Sequence, residues 1–350
     1  MRDKSATFFR QLLETPGPTG DERAVARVWR GYAEGFAEVS HDALGSSHAS
    51  VNGEGAPHLA IVGHIDEIAL VVNHIDDQGF VWFGGVGGWD PEVLVGQRVR
   101  ILAGEGPVPG VVGKKARHQQ TQEDREKPSK LEDLWIDVGA VDADAARERV
   151  RVGDLAVLEQ PVVDLDGGRM VSRACDNRCG AFVAAEAARL YAESPGAARV
   201  TGVASVAEET TFAGAYTSAF SLAPDLAIAV DVTNVSDHPT TSKEKLGAVA
   251  VGKGPALARG AGVHPVLFDL LRETADAEGI PIQVEPTGGH SGTDADAVHL
   301  SRGGIPSAVV SIPLRYMHSP NELLQVDDLV ACAALIAAFA RRLDGPITAE

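Results

Sequence analysis

The sequence predicts an α/β protein whose mostly parallel sheet has helices on both faces and carries an inserted small β-barrel domain. Three observations predict it. Near-continuous apolar runs recur at Leu59–Gly63, Val200–Ala207, Leu226–Val230 and Ala308–Ile312, the pattern of strands buried on both faces. Helical segments alternate with these runs, which is the order of a parallel sheet. Between about Val71 and Asp164 the pattern changes to Gly- and Val-rich stretches with short alternating runs, such as Gln97–Leu102, Gly110–Gly113 and Leu155–Leu158.

In chain order, Phe8, Phe9, Leu12 and Leu13 share one face of a short N-terminal helix. The run Leu59–Gly63 is a strand. The insertion follows, its helix signal confined to Asp142–Arg149 and its charged segment Lys114–Glu132 expected as a solvated loop. After Arg169–Arg173, expected as a further strand of the sheet, the Ala-rich stretch Ala181–Ser194 reads as a helix halted by Pro195-Gly196. Another helix runs from His264 to Glu278 and stops at Gly279. Ile305–Ile312 is a strand and Val326–Leu343 the closing helix. The expected domains are residues 1–70 with 165–350, an α/β domain, and 71–164, an inserted β-domain.

Composition narrows the function. With 350 residues and a formal net charge of −18, the chain lacks the basic footprint that nucleic acid or an anionic membrane surface requires. The longest apolar stretch, Val330–Ala340, is too short to span a bilayer. Three cysteines make no disulfide framework, and the first twenty residues lack a signal-peptide core, so a cytoplasmic location is expected. Cys175 and Cys179 read as small packed residues.

Chemistry gathers where the apolar runs end. His64 and Asp66 follow the first run, Glu208-Glu209 the second and Asp231 the third; His318 comes shortly after the fourth, and Asp176 follows Arg169–Arg173. Open α/β sheets place their sites beyond the strand carboxyl ends, so these side chains are expected to meet. Imidazole and carboxylate donors suit zinc first, with cobalt or manganese as alternatives. The surplus of donors suits two divalent ions about 3.5–4 Å apart. Asp66, two residues beyond His64, is placed to accept its imidazole N–H. Glu208 and Glu209, as neighbours in extended chain, are expected to point to opposite sides, one toward metal and one toward water.

Taken together, these residues resemble the tetrahedral di-metal aminopeptidases, a family of glutamyl, leucyl and deblocking aminopeptidases in which some members have been labelled endoglucanases. The matching blocks are GHIDEIAL (63–70), GKKARH (113–118), EDREKPSKLEDLWIDVGA (123–140), SRACDNRCGA (172–181), AEETTFAGA (207–215), AVDVTN (229–234), VGKGPAL (251–257), SGTDADAV (291–298) and RYMHSPNE (315–322). The resemblance implies a zinc-exopeptidase-like fold. It implies metal ligands His64 and Asp231 on one ion, Glu209 and His318 on the other, and Asp176 bridging. Glu208 and Asp66 are the implied catalytic residues, Glu208 as general base and Asp66 orienting His64. The resemblance also implies a cis peptide after Asp176, and self-association into dimers and a twelve-subunit particle. Ala69 stands where the family usually has Gly, Cys179 lies inside the block that contains Asp-Asn-Arg, and the loop Val235–Thr241 differs from the commoner version.

The expected activity is removal of N-terminal residues from short peptides. Glycoside hydrolysis is the first rival. It needs two carboxyl groups facing across a sugar, about 5–5.5 Å or 6.5–9.5 Å apart, and gives His64 and His318 no role. A related zinc deacylase or carboxypeptidase is the second, and an assembly protein with a vestigial site the third.

Overall fold

The computed structural model describes residues 1–345 and 347, and divides into two compact units. The first comprises Met1–Asp66, Val162–Met317 and the chain from Glu322 onward; the second comprises Glu67–Pro161 with His318–Asn321.

At the centre of the first unit lies an eight-stranded sheet. Its four middle strands, in spatial order Arg199–Ser205, His58–His64, Leu226–Asn234 and Ser307–Leu314, are parallel. Antiparallel Ser47–Val51 and Glu38–His41 extend one edge. On the other, Ala256–Gly260 runs antiparallel to Ser307–Leu314 and parallel to Gln283–Thr287. Every residue of His58–His64 and of Ser307–Leu314 is buried, as strands covered on both faces must be.

Side chains alternate between the faces. Leu59, Ile61, Ile228 and Val230 enter the larger core with Phe182 of the helix Cys175–Glu193 and Leu329 and Ile336 of the helix Val326–Arg342. Ala60, Val62, Val203 and Ala227 pack instead against Ala215 and Ala219 of the helix Ala213–Leu222 and Ala297 and Val298 of the short helix Ala295–Val298. A one-residue register slip would exchange these two sets, so the pattern fixes which face each strand end presents. The N-terminal helix Asp3–Glu14 buries Phe8, Phe9, Leu12 and Leu13, and the helix Pro265–Glu278 ends at Gly279 with φ 64°.

One expectation needs correcting. The strand Arg169–Ser172 does not join the main sheet; it lies in a three-stranded antiparallel sheet between Val163–Leu165 and Glu322–Gln325. Local β propensity does not choose a partner, and here the antiparallel neighbour arrives from the far end of the sequence.

The second unit is a closed six-stranded antiparallel barrel. Its strands in barrel order are Ala69–Ile75, Val81–Val86, Leu134–Asp137, Gly106–Lys114, Arg98–Ala103 and Leu155–Leu158. Leu70, Val72, Val81, Val99, Ile101 and Ile136 fill the interior. Closure leaves no free edge, which suits strands this short. Within the charged segment, expected as a loop, Gln122–Glu126 forms a short helix.

Candidate metal centre

The site begins where the parallel strands end. By the alternation above, His64, Ser205 and Asp231 follow Val62, Val203 and Ala229 onto one face. Two glycines let the helix Cys175–Glu193 approach closely. A Cβ on Gly63 would lie 2.3 Å from the backbone of Gly180, and one on Gly180 only 2.2 Å from the carbonyl oxygen of Val230. That approach brings Asp176, in the helix's first turn, to the ends of two strands at once. Asn177 secures it, its side-chain amide donating to the Val230 carbonyl at 2.8 Å and its oxygen accepting from Gly180 N–H at 2.8 Å. The Asp176–Asn177 peptide is cis, and the Asp176 N–H donates to Glu322 at 3.0 Å.

His64 is the hub. Its Nε2 lies 3.2 Å from Asp176 Oδ1, 3.7 Å from Glu208 Oε2 and 4.0 Å from Asp231 Oδ1, while its Nδ1 lies 3.3 Å from Asp66 Oδ1. Two overlapping donor sets result, His64–Asp176–Glu209 and His64–Glu208–Asp231, each with its ligand atoms within 4.8 Å of one another. The structure thus brings together His64, Asp66, Asp176, Glu208, Glu209 and Asp231. His318 belongs to the second unit, where a Cβ on Gly88 would meet its Nδ1 at 3.2 Å.

The two glutamates do not sit in extended chain, contrary to expectation. Ala207 adopts a left-handed conformation (φ 55°) and starts a helical turn, Glu208–Thr211. Neighbours on a helix are about 100° apart, not opposite, so both can face the site. Hence Glu208 falls into one donor set and Glu209 into the other. Asp66, fully buried, also does more than face His64: it accepts the backbone N–H groups of Glu208 and Glu209 at 3.1 and 3.3 Å and the Thr19 hydroxyl at 2.8 Å.

Electrostatics bear on what the arrangement suits. Burial raises Glu208 to about 10, with Asp231, Asp294 and Glu209 adding to the rise and His64 opposing it. Burial and Asp176 likewise hold Asp231 well above the usual carboxylate range, against His64. Burial works to lower His64, but Glu208, Asp176 and Asp66 outweigh it and the imidazole ends well above its ordinary value. Buried carboxylates crowded around one imidazole are held at a cost that a divalent cation relieves, and the donor set is of the kind such ions take. The residues fit a metal. Cys175 and Cys179 stand outside both donor sets, their thiols pushed up by burial and away from the thiolate form a metal would need.

Residues not foreseen complete the surroundings. Thr19 contacts Asp66, Glu22 accepts from Ala207 N–H, Glu322 holds Asp176, and the Ser205 hydroxyl donates to buried Asp294. Asp294 and Glu322 lie in the blocks SGTDADAV and RYMHSPNE, so their positions carried a signal; Thr19 and Glu22 lie in none.

This fold and site define an exopeptidase-type hydrolase, and comparison with known proteins specifies which. Residues 45–335 match the model of the M42 glutamyl aminopeptidases, and the chain belongs to that family of metallopeptidases acting on peptide bonds. The lysyl aminopeptidase of Pyrococcus furiosus is 33% identical over 344 residues, 96% of each chain. A TET aminopeptidase from the marine sediment archaeon Thaumarchaeota archaeon SCGC AB-539-E09 superposes with TM-score 0.94 at 34% identity, covering 98% of this chain and 97% of that one. The TET1 peptidase of Pyrococcus horikoshii, which can assemble into a tetrahedron or a large octahedral shell, matches with TM-score 0.87 at 28% identity, covering 97% and 100%. Among the described residues no helix is long and apolar enough to cross a membrane.

Proposed function

We propose that the chain is a metal-dependent aminopeptidase that removes N-terminal residues from short peptides, using two divalent ions per subunit and Glu208 as general base. The observation that carries this reading is the pair of donor sets sharing His64 at the carboxyl edge of the parallel sheet. In the proposed assignment His64 and Asp231 would hold one ion, Glu209 and His318 would hold the other, and Asp176 would serve both. Zinc is the proposed metal, with cobalt or manganese able to replace it. Bound there, the ions would supply Lewis acidity to the scissile carbonyl and lower the pKa of the attacking water.

The remaining chemistry falls to the protein's own groups. Glu208 takes the proton of the attacking water and later delivers it to the leaving amine, a role worth roughly 10²–10⁴-fold. Asp66 holds the His64 ring and fixes the backbone from which Glu208 and Glu209 project. The site's carboxylates attract the substrate's free α-ammonium group. Side-chain preference is left to the loops: the Pyrococcus furiosus relative is named for lysine, whereas the family is named for glutamate. Residues 1–70 and 165–350 form the proposed catalytic domain. The 71–164 insertion is proposed to mediate dimerisation within a twelve-subunit particle in the cytoplasm.

A panel of aminoacyl chromogenic amides, assayed with and without chelator and after adding back zinc, cobalt or manganese, tests the proposal. Chelator-resistant turnover, or cleavage confined to blocked peptides, would overturn it.

A further inference from the structure

The turn carrying the two glutamates is held in an unusual way. Three successive backbone N–H groups, those of Ala207, Glu208 and Glu209, each point at a carboxylate from elsewhere in the chain. Asp66 accepts the second and third at 3.1 and 3.3 Å. Glu22 Oε1 accepts the first at 3.2 Å and also accepts from Gly20 N–H at 2.9 Å. Successive N–H groups in a turn make a concave donor site for an anion, and here Asp66 and Glu22 fill it. Ala207 lies at φ 55°, a conformation costly for any residue with a Cβ and kept only where its surroundings impose it.

Glu22 does not act alone. Three residues before it, the Thr19 hydroxyl donates to Asp66 Oδ2 at 2.8 Å. Earlier still, the fully buried Arg178 guanidinium donates to the carbonyls of Leu12, Thr15 and Gly17 at 2.5, 2.9 and 3.2 Å. Arg178 stands two residues beyond Asp176. One N-terminal stretch, residues 12–22, is therefore bonded to the Asp176 turn, to Asp66 and to the Ala207 turn. Those contacts reach every ligand-bearing turn of the first unit except the end of the Asp231 strand. Glu22 and Thr19 are polar and buried, and both bond to the site's framework.

We propose that Thr19 and Glu22 are positioning residues of the metal centre, together setting the direction in which Glu208 and Glu209 project. Glu22 does this as a hydrogen-bond acceptor for Ala207 N–H, and Thr19 by fixing the second oxygen of Asp66. The inference rests on the proposed metal-dependent reaction. It is tested partly by a readout that does not require turnover, the visible absorption of Co²⁺ added to the metal-stripped full-length protein.

Outer partners of this kind are typically worth 10–100-fold in metal affinity or activity. Glu22→Ala is accordingly expected to lower kcat by about 10–100-fold with KM changed little, and to weaken or alter the Co²⁺ spectrum. Glu22→Gln keeps an acceptor oxygen and is expected to recover most of both. A wild-type spectrum and kcat in Glu22→Ala, or a Gln variant as impaired as the Ala variant, overturns the assignment of Glu22. Should Glu22→Ala fail to fold, Thr19→Val decides the matter: a shifted Co²⁺ spectrum with reduced kcat, restored in Thr19→Ser, supports the proposal, and unchanged values overturn it. Absence of Co²⁺ binding or of peptidase turnover in the wild-type protein would instead defeat the underlying reading.

Discussion

At the scale of single residues, Asp66 shows how much one buried carboxylate can organise. It faces His64, accepts two backbone N–H groups and receives the Thr19 hydroxyl. Asp66→Asn keeps the shape but puts an N–H₂ donor where one oxygen now accepts. Its affinity for Zn²⁺, measured by competition with a chromogenic chelator, should fall by about 10–100-fold. Glu208→Gln should keep metal stoichiometry, read by atomic absorption, yet lose at least about 10²-fold in turnover. A third expectation concerns His58, far from the chemistry on the same strand as His64. Burial, with Arg199 adding, lowers it to about 4, and its Nε2 pairs with the Thr201 hydroxyl at 2.9 Å. Its folded pKa lies below the unfolded value, so its contribution is complete above about 6.5 and is lost as pH falls through about 4. Urea titrations of His58→Gln should therefore show a shallower loss of stability over that interval, by as much as about 3 kcal/mol. Six of the seven proposed site residues could be read from the sequence and meet in one place because they sit at apolar-run ends or just beyond. Thr19 and Glu22 could not, because their partners are 47 and 185 residues away and no local pattern announces them.

At the scale of elements, the helix Cys175–Glu193 and the strands beneath it set the geometry. Its residues Ala181, Ala184, Ala185 and Ala188 are fully buried, and Gly180 touches the sheet backbone. Gly63→Ala would force a methyl group to within 2.3 Å of the Gly180 backbone, with no flexible side chain to yield. We expect a loss of about 1–3 kcal/mol, measured by denaturant midpoint, together with weakened metal binding because His64 is the next residue. The four parallel strands and the long helices were legible because burial on both faces and the Ala-rich helical stretch leave strong patterns. The strand Arg169–Ser172 was visible as a strand but not as part of a separate sheet, since its partner Glu322–Gln325 is distant in sequence. The turn at Glu208 was misread as extended chain because a left-handed alanine leaves no compositional mark.

At the scale of the whole molecule, a chain of 36.6 kDa with net charge −18 belongs to a family with members that build large shells. Light scattering of the purified protein should give a mass near twelve copies of the chain. A chain from which residues 71–164 are replaced by a short linker should lose that assembly. An unchanged particle in the shortened protein would remove the insertion from the interface. The barrel's existence was readable from its Gly- and Val-rich alternating runs, whereas the strand order that closes it was not, because alternation fixes the inner face of a strand and not its neighbours.

The near-contact between Gly63, Gly180 and the Val230 carbonyl has one more consequence. A side chain larger than hydrogen at either glycine would meet backbone, so the seat of the helix on the sheet admits no substitution at these two positions. Relatives that keep this close approach are therefore expected to vary elsewhere and to hold both glycines fixed.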